Sequence, residues 1–541
     1  MSRYAKFFSV GAGGGGTNNL QLPIGTILDT TLRQVQDGTG TGSPLYLSTL
    51  RVGITSDSSV TTQVSSVIQA TTTNANLVIA PNGTGALVAS IPDGTFTGGN
   101  ARGTNSVDLQ TARSAANQVA GGTQGFIGGG QDNSIAASTL RGIIVGGYQN
   151  LTNSNHTFIG SGAYNTTGLN SVSSYSVVVG GNSNKINYGT NSFIGSGDGN
   201  IISAAGGGGI VICGGSSNTA SSSYSTISGG QSNTASTGTH ATVVGGQSNT
   251  SSGAHSVSGG FGNTASGYGS IALGSNNIAS TTSAKIGTSN IGSAQDAYAF
   301  GAYNSNTGSE NTYNFGLGNS CSHFTTMAIG FSNSVGRNNS IAIGTSNTVA
   351  NSSFSTILGG QSNLASSAIG DKYITIVGGL QCHGYQYGSI NSASGRFSTT
   401  GDAQQSSLTA RREASLNSAA TTVLSLDGTG TTNLIIPNGN NRLWAVKVVA
   451  TAFVSVAGGT LVLGDSYMGE FTLLFKRVGG TSSVVGVNAG NIIYDTNMAT
   501  AAFTFAAGAS QDLQITFKAP TTASATTFRC VAKVELVEVA Y

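Results

Sequence analysis

The sequence predicts an all-β protein: an elongated β-solenoid or β-roll shaft that ends in a C-terminal antiparallel β-sandwich, a jelly-roll-like knob. Three observations carry this. A short phrase of one or two apolar residues, glycine, two variable residues and asparagine recurs sixteen times between Gly130 and Asn363. Charged residues make up only 7% of the 541 residues, against roughly a quarter in ordinary soluble domains. Beyond about residue 400 the phrase stops, and longer runs of alternating apolar residues take over.

The repeat reads Phe126-Ile-Gly-Gly-Gly-Gln-Asp-Asn133 at its first pass and Ile341-Ala-Ile-Gly-Thr-Ser-Asn347 late in the series. Its asparagines step by 13 to 19 residues and settle to 13 to 15 between Asn249 and Asn347. A degenerate copy with cysteine in the asparagine place, Ile376-Val-Gly-Gly-Leu-Gln-Cys382, closes the run. This period is too short for a helical repeat or a propeller blade and suits one coil of a stacked β-roll. About seventeen coils at ~4.8 Å each predict a shaft of roughly 80 Å.

Within one coil, Ser270-Ile-Ala-Leu-Gly-Ser-Asn-Asn-Ile-Ala-Ser280 shows the expected parts. Ile271 and Leu273 alternate with small residues, which predicts a strand with those two side chains on its buried face. Gly274 permits a corner, and Asn277 tolerates left-handed backbone and can bond along the axis as a ladder. The same roles fall to Gly130 and Asn133, Gly147 and Asn150, Gly246 and Asn249, and Gly344 and Asn347. So small a coil buries little by itself, which predicts side-by-side association, as a homotrimer from the type of shaft.

The flanks are read in order. Residues 31–104 hold short β-runs broken by Pro-Asn-Gly and Pro-Asp-Gly turns. Residues 105–120 are the best helix or neck candidate, with Leu109, Ala112, Ala116 and Val119 on one face and Ser106 as N-cap. The β-roll occupies 121–395 and the sandwich 396–541, where strand-like runs such as Leu443–Phe453 and Leu513–Phe517 surround Trp444, the single tryptophan. No run approaches the ~20 apolar residues of a membrane-spanning helix, and the first ten residues do not read as a secretory signal. Four scattered cysteines predict reduced thiols and synthesis in a cytoplasm. A net charge of +2, thinly spread, gives no nucleic-acid signal.

The phrases Ser340-Ile-Ala-Ile-Gly-Thr-Ser-Asn-Thr-Val-Ala350 and Ser270-Ile-Ala-Leu-Gly274 resemble the head repeats of YadA-like trimeric adhesins. Ile227-Ser-Gly-Gly-Gln-Ser-Asn-Thr-Ala-Ser236 is more similar to bacteriophage tail-fibre proteins. So are the stretch from Pro81 to Gly103, Asp108-Leu-Gln-Thr-Ala-Arg113, the N-terminal run Thr31–Thr49, and Phe397-Ser-Thr-Thr-Gly-Asp-Ala-Gln404 and Val534-Glu-Leu-Val-Glu538 near the C-terminus. The resemblance implies a trimeric virion fibre that attaches to host cells. Residues 1–30 would join it to other virion proteins, and the C-terminal domain would bind a host surface glycan or protein receptor.

Chemistry is weighed against this. Asp132, Asp198, Asp296, Glu310 and Asp371 are the acidic residues of the repeat region, and a glycosidase needs two carboxylates roughly 5 to 9 Å apart. Asp296 and Glu310 precede their asparagines by eight and nine residues, a slip that puts them on opposite faces of a strand. Cys321-Ser-His323 and Cys382-His383 have no second pair to complete a metal site. The expectation is a protein that is not an enzyme, with no cofactor and no metal. Phe300 and Phe315, just before the turn glycine, are assigned to the roll core. Tyr148, Tyr164, Phe261, Tyr303 and Phe331 fall within the turn, where exposed rings can stack on sugars. Arg411, Arg412 and Trp444 are assigned to the sandwich framework.

Overall fold

A computed structural model describes residues 81–168, 173–308, 310–367, 372–431, 435, 439–540 and residue 79, with the backbone of 33–36, 42–47 and 52–54. The expected attachment segment, 1–30, lies outside the described residues. Two compact units divide at Pro81. In the first, strands Arg33–Gln36, Gly42–Leu47 and Val52–Ile54 form an antiparallel sheet in that order.

The second unit is built on a β-solenoid of about nineteen turns. One sheet stacks in parallel from Leu87–Val88 through Val107–Asp108 and Phe126–Ile127 to Ile390–Ser394. A second sheet, from Ser134–Ile135 to His383–Gly384, forms the opposite wall. At ~4.8 Å per turn the stack is roughly 90 Å long. The shaft thus begins some thirty residues earlier than the repeat phrase (Leu87 against residue 121).

Residues 105–120 contain no helix. The apolar spacing of Leu109, Ala112, Ala116 and Val119 falls on loop and bridge positions, Leu109 faces solvent, and Ser106 is buried. What organises the segment is charge. Register places Asp108 in the inward column beneath Ile127. There its carboxylate meets Arg102 Nε at 2.8 Å and Arg113 Nη2 at 3.4 Å, all three side chains being fully enclosed. Arg102 also donates to the carbonyls of Gly98 and Asn100. A buried, hydrogen-bonded ion triad closes the end of the apolar column, and removing one member would strand the others.

The inward column is fed by one residue per turn from each wall. In the early and last turns it holds Ile127, Ile144, Ile159, Val178 and Ile194, then Ile357 and Ile376. In the tighter turns between Asn249 and Asn347 it holds Ser258, Ala272, Ala299, Ala328 and Ala342. In turns this short, small residues take most of the inward positions, Lys285 being the large exception. Ile271 and Leu273 therefore turn outward and Ala272 fills the inside, the reverse of the sequence expectation. Phe300 and Phe315 also lie outside the core, half-exposed, with Ala299 and Asn314 in the interior.

After Ile390–Ser394 the stacking changes from parallel to antiparallel. Ile390 and Asn391 face Ser407 and Ser406 of Ala403–Leu416, so the shaft wall runs on into the sheet of the tip. That sheet continues through Thr526–Ala540, Arg442–Val456, Ser466–Val478 and Thr481–Tyr494. A second, three-stranded sheet of Thr421–Leu424, Leu513–Lys518 and Ala502–Ala507 covers it. Trp444, Phe471, Phe475, Phe503, Phe517 and Phe528 fill the space between the sheets.

Besides Asp108, a second inward position is charged. Lys285 is fully enclosed between Ala272 and Ala299 of the adjacent turns, its ammonium donates to the Ala297 carbonyl at 2.9 Å, and burial pulls its pKa down to about 8. A group with a folded pKa below its unfolded value binds fewer protons when folded, so stability increases with pH across the interval between the two. Thermal denaturation should therefore show the chain gaining stability from about pH 8 toward 10.5. Lys285→Met should abolish that dependence and stabilise the chain at pH 7 by about 3 kcal/mol. A variant melting with or below the parent at pH 7 would contradict this account of the buried ammonium.

Candidate interaction surfaces

The corner glycines and asparagines come together in one structural line. Gly130, Gly147, Gly246, Gly274 and Gly344 have φ of 87°, 96°, 99°, 113° and 115°. A Cβ on Gly344 would collide with the Gly360 carbonyl oxygen of the next turn, so only glycine serves. The asparagines do not take the left-handed backbone. The residue before each one does: Asp132, Gln149, Ser248, Asn276 and Ser346 have φ of 53° to 60°. That leaves the asparagine side chain pointing inward and buried.

There it forms an unbroken chain of amides. Asn277 Oδ1 accepts the Asn290 backbone N–H at 3.0 Å, and Asn277 Nδ2 donates to Asn263 Oδ1, to Leu273 O in its own turn and to Gly287 O in the next. The backbone link repeats at 2.8 to 3.1 Å from Asn133 to Asn363, including Asn150, Asn249 and Asn347. Gln110 starts the line by accepting the Asn133 N–H at 2.8 Å and donating to its carbonyl. At the far end the Cys382 N–H donates to Asn363 Oδ1, and Gln404 then brackets His383, accepting from its N–H and donating to its carbonyl.

The five turn aromatics are placed in two neighbouring rows of this corner. Register puts Tyr148, Phe261 and Phe331 in one row, while Tyr164 and Tyr303 take the left-handed position at φ 55° and 54°. Tyr148 and Tyr164 meet edge to face at 5.4 Å, and Tyr148 is half-buried. Phe261, Tyr303 and Phe331 are exposed on separate turns, Phe331 beside the exposed Leu317. The opposite corner holds a series the sequence reading missed. Tyr224, His240, His255 and Tyr268 contact in succession at 5.0, 4.9 and 5.4 Å, the first three rings nearly parallel. Their spacing of 13 to 16 residues was the available signal. The two histidine rings lie between their neighbours, while Tyr224 and Tyr268 at the ends are exposed.

A wider feature lies on the outer face of the first wall. The residues on either side of each inward one form two parallel rows along the shaft, and from Phe126 to Ile390 neither row contains a charge. The flanks vary where the inward residue is large, from Thr226-Ile227-Ser228 to Ile143-Ile144-Val145, and are mostly large where it is small, as in Tyr298-Ala299-Phe300. Phe300 stacks on Phe315 at 5.3 Å and Tyr298 on Tyr313 at 5.4 Å. Val145, Val179, Val244, Leu358 and Val377 stand about half-exposed in the same rows, and the exposed thiol of Cys213 is among them.

The titratable groups are structural in their contacts. Asp132 is buried and accepts the Ser114 N–H, and Asp198 accepts from Asn182 Nδ2 at 2.7 Å. Glu310 pairs in register with Gln295, leaving Asp296 one residue out of step, and Asp371 lies outside the described residues. Among the described residues, no three His, Cys, Asp or Glu side chains converge. Burial pushes the Cys321 and Cys382 thiols up to about 11 and 12, raises Cys530 as well, and pulls the His383 imidazole down to about 4. At the joint of shaft and tip, burial raises the carboxyl of Glu538 above the usual range. It accepts from Tyr385 Oη at 2.7 Å and Gln404 Nε2 at 3.2 Å, and Arg442 stands 3.3 Å away. Trp444 is wholly within the sandwich core, while Arg411 and Arg412 bond the carbonyls of Asp427 and Gly428.

No protein-family model and no curated protein matches the sequence. Among solved structures, the chain is similar to the tailspike protein of Acinetobacter phage vB_ApiP_P1, at 9% identity and a TM-score of 0.22, over 74% of this chain and 82% of that one. It is also similar to the tailspike protein of Acinetobacter baumannii phage AM24, at 8% identity and a TM-score of 0.19, over 71% and 78%. Likeness at this level carries no argument about activity.

The amide line makes a sharp prediction. Asn277→Ala removes the acceptor for the Asn290 N–H and the donors to Leu273 O and Gly287 O, and should destabilise by about 2 to 4 kcal/mol. Asn277→Asp, which aims a buried carboxylate at two carbonyls, should be worse. Ser280→Ala, at an exposed position of the same turn, should leave the melting temperature within a degree or so. Equal melting of Asn277→Ala and Ser280→Ala would refute the ladder's energetic role.

Proposed function

We propose that this chain is a bacteriophage virion fibre, most simply a tail fibre. Its N-terminal region joins the particle, three copies associate along the shaft, and the C-terminal sandwich engages a glycan or protein receptor on the host surface. The observation that carries the reading is the pair of uncharged outward rows running the length of a rod that ends in a compact tip. Large apolar side chains sit outside the tight turns, whose interior is filled mostly by small residues, and a neighbouring copy is what removes them from water. A strip roughly 90 Å by 10 Å offers about 900 Å² per copy, near the ~800 Å² per partner of stable interfaces. The resemblance of the repeat phrases to fibre proteins supports the same reading. Several tips on one particle then turn weak contacts into durable attachment.

The reading assigns attachment, not catalysis, to the protein. Light scattering of the native protein should give three times the chain mass of 53.8 kDa. Cys213, exposed in the single chain, should react slowly with a thiol reagent in the native protein. It should react at least about tenfold faster in Leu273→Asp, which puts a charge in the strip. A monomer with a fast Cys213 defeats the oligomer. Exchange of residues 396–541 between related phages should move host range with the tip. Labelled antibody found on the head, with infection unaffected, would make the protein a head fibre or decoration protein. Shortening of host polysaccharide by the purified protein would make it a degrading tailspike.

A further inference from the structure

The shaft is built on asparagine, a residue whose side-chain amide can be lost to its own backbone. In that reaction the backbone nitrogen of the following residue attacks the side-chain carbon Cγ. An N–C bond forms, the Cγ–Nδ2 bond breaks and ammonia leaves. Water then opens the cyclic imide to aspartate, or to isoaspartate with the chain running through Cγ. The step needs a free nitrogen that can reach Cγ at near-contact distance. Its rate therefore depends on how tightly both groups are held and on the bulk of the next residue.

The ladder holds both reactants. None of its sixteen asparagines precedes a glycine. From Asn133 to Asn363, the N–H that follows each asparagine donates to a carbonyl of the next turn at 2.7 to 2.9 Å, as Ser134 does to Asn150 and Ile278 to Asn290. The amide itself is buried and bonded to the turns on both sides. Asn82 is the opposite case. It is exposed at the start of the second unit, in the turn Pro81-Asn-Gly-Thr-Gly85, where the Gly85 N–H donates to the Asn82 carbonyl at 3.2 Å. Among the described residues, neither the Asn82 amide nor the Gly83 N–H takes a hydrogen-bond partner. Gly83 stands at φ 63° with open space where a Cβ would be. The other Asn-Gly pair, at 438–439, begins outside the described residues.

We propose that Asn82 is a self-modification site, converting to aspartate and isoaspartate in the folded protein, and that the amide ladder protects the shaft from the same reaction. Each conversion puts a carboxylate into a chain whose net charge is only +2. Isoaspartate also adds a carbon to the backbone, one residue from the division of the chain at Pro81. This stands independently of the oligomer and of the receptor.

Peptide mass spectrometry on the native full-length protein, aged in mildly alkaline buffer, tests it. Asn82 should convert at least about tenfold faster than any ladder asparagine. Gly83→Ala, whose Cβ hinders the approach and is strained at that φ, should slow conversion at Asn82 by at least about tenfold. Held unfolded in denaturant, the parent chain should convert Asn304, Asn319 and Asn333, each followed by serine, several times faster than when folded. The rate at Asn82 should change by about twofold or less. An intact Asn82 in the aged native protein, or conversion there no faster than in the ladder, would overturn the site. An unchanged rate in Gly83→Ala would show that this nitrogen is not the attacking group and would overturn it as well. Ladder asparagines that react equally fast folded and unfolded would overturn the protection.

Discussion

A buried primary amide that repeats every turn holds the shaft's geometry together. The asparagine side chain is long enough to span one turn spacing and offers an acceptor and two donors at once. Each Oδ1 takes the N–H of the next asparagine, and each Nδ2 answers carbonyls in two turns. Serine would be too short for this and aspartate would bring charge without donors. The corner needs that service because the glycine before it and the left-handed residue beside it leave backbone groups turned inward. The chain ends the line with glutamine on both sides, Gln110 and Gln404, whose extra methylene reaches from positions outside the repeat phrase.

The narrowness of the coil has a second effect. Where the turns are tightest the inward column admits Ala272, Ala299, Ala328 and Ala342, and bulk moves outside to Ile271, Leu273, Tyr298 and Phe300. Wider turns take the large residue inside, as at Ile227, while their outer flanks range from Thr226 and Ser228 to Ile143 and Val145. The polar interruptions at Ser258, Lys285 and Asn314 belong to the tight turns as well. Such a column relies less on apolar burial than on backbone pairing and amides, which explains a stable fold from a sequence so rich in glycine and serine.

The period, the glycine corners, the sequence positions of the asparagines and the change of architecture near residue 400 were legible in the chain. Repetition at fixed phase is a local signal and survives without knowledge of packing. Which side of the strand faces in was not legible, because alternation of large and small residues reads the same from either side. Apolar size suggested Ile271 and Phe300 as core, and only the distance between walls decides for Ala272 and Ala299. The helix expected over 105–120 failed for a related reason. Four apolar residues at helical spacing are weak evidence beside an ion triad whose partners, Arg102 and Arg113, lie on either side of Asp108 in sequence and join only in the folded cap. The stacked rings of Tyr224, His240 and His255 were not legible because their residue types differ and their spacing of 16 and 15 residues is uneven, so only the register of the coils brings them together.

The shaft wall and the tip share one sheet through the pairing of Ile390 with Ser407, and this has a mechanical consequence. The bonds between turns lie along the long axis, so tension applied at the knob loads every turn-to-turn contact in series. The strength of the whole under pulling equals that of its weakest rung, whatever the number of rungs. Torque, by contrast, passes from knob to rod through one hydrogen-bonded sheet rather than through a swivel.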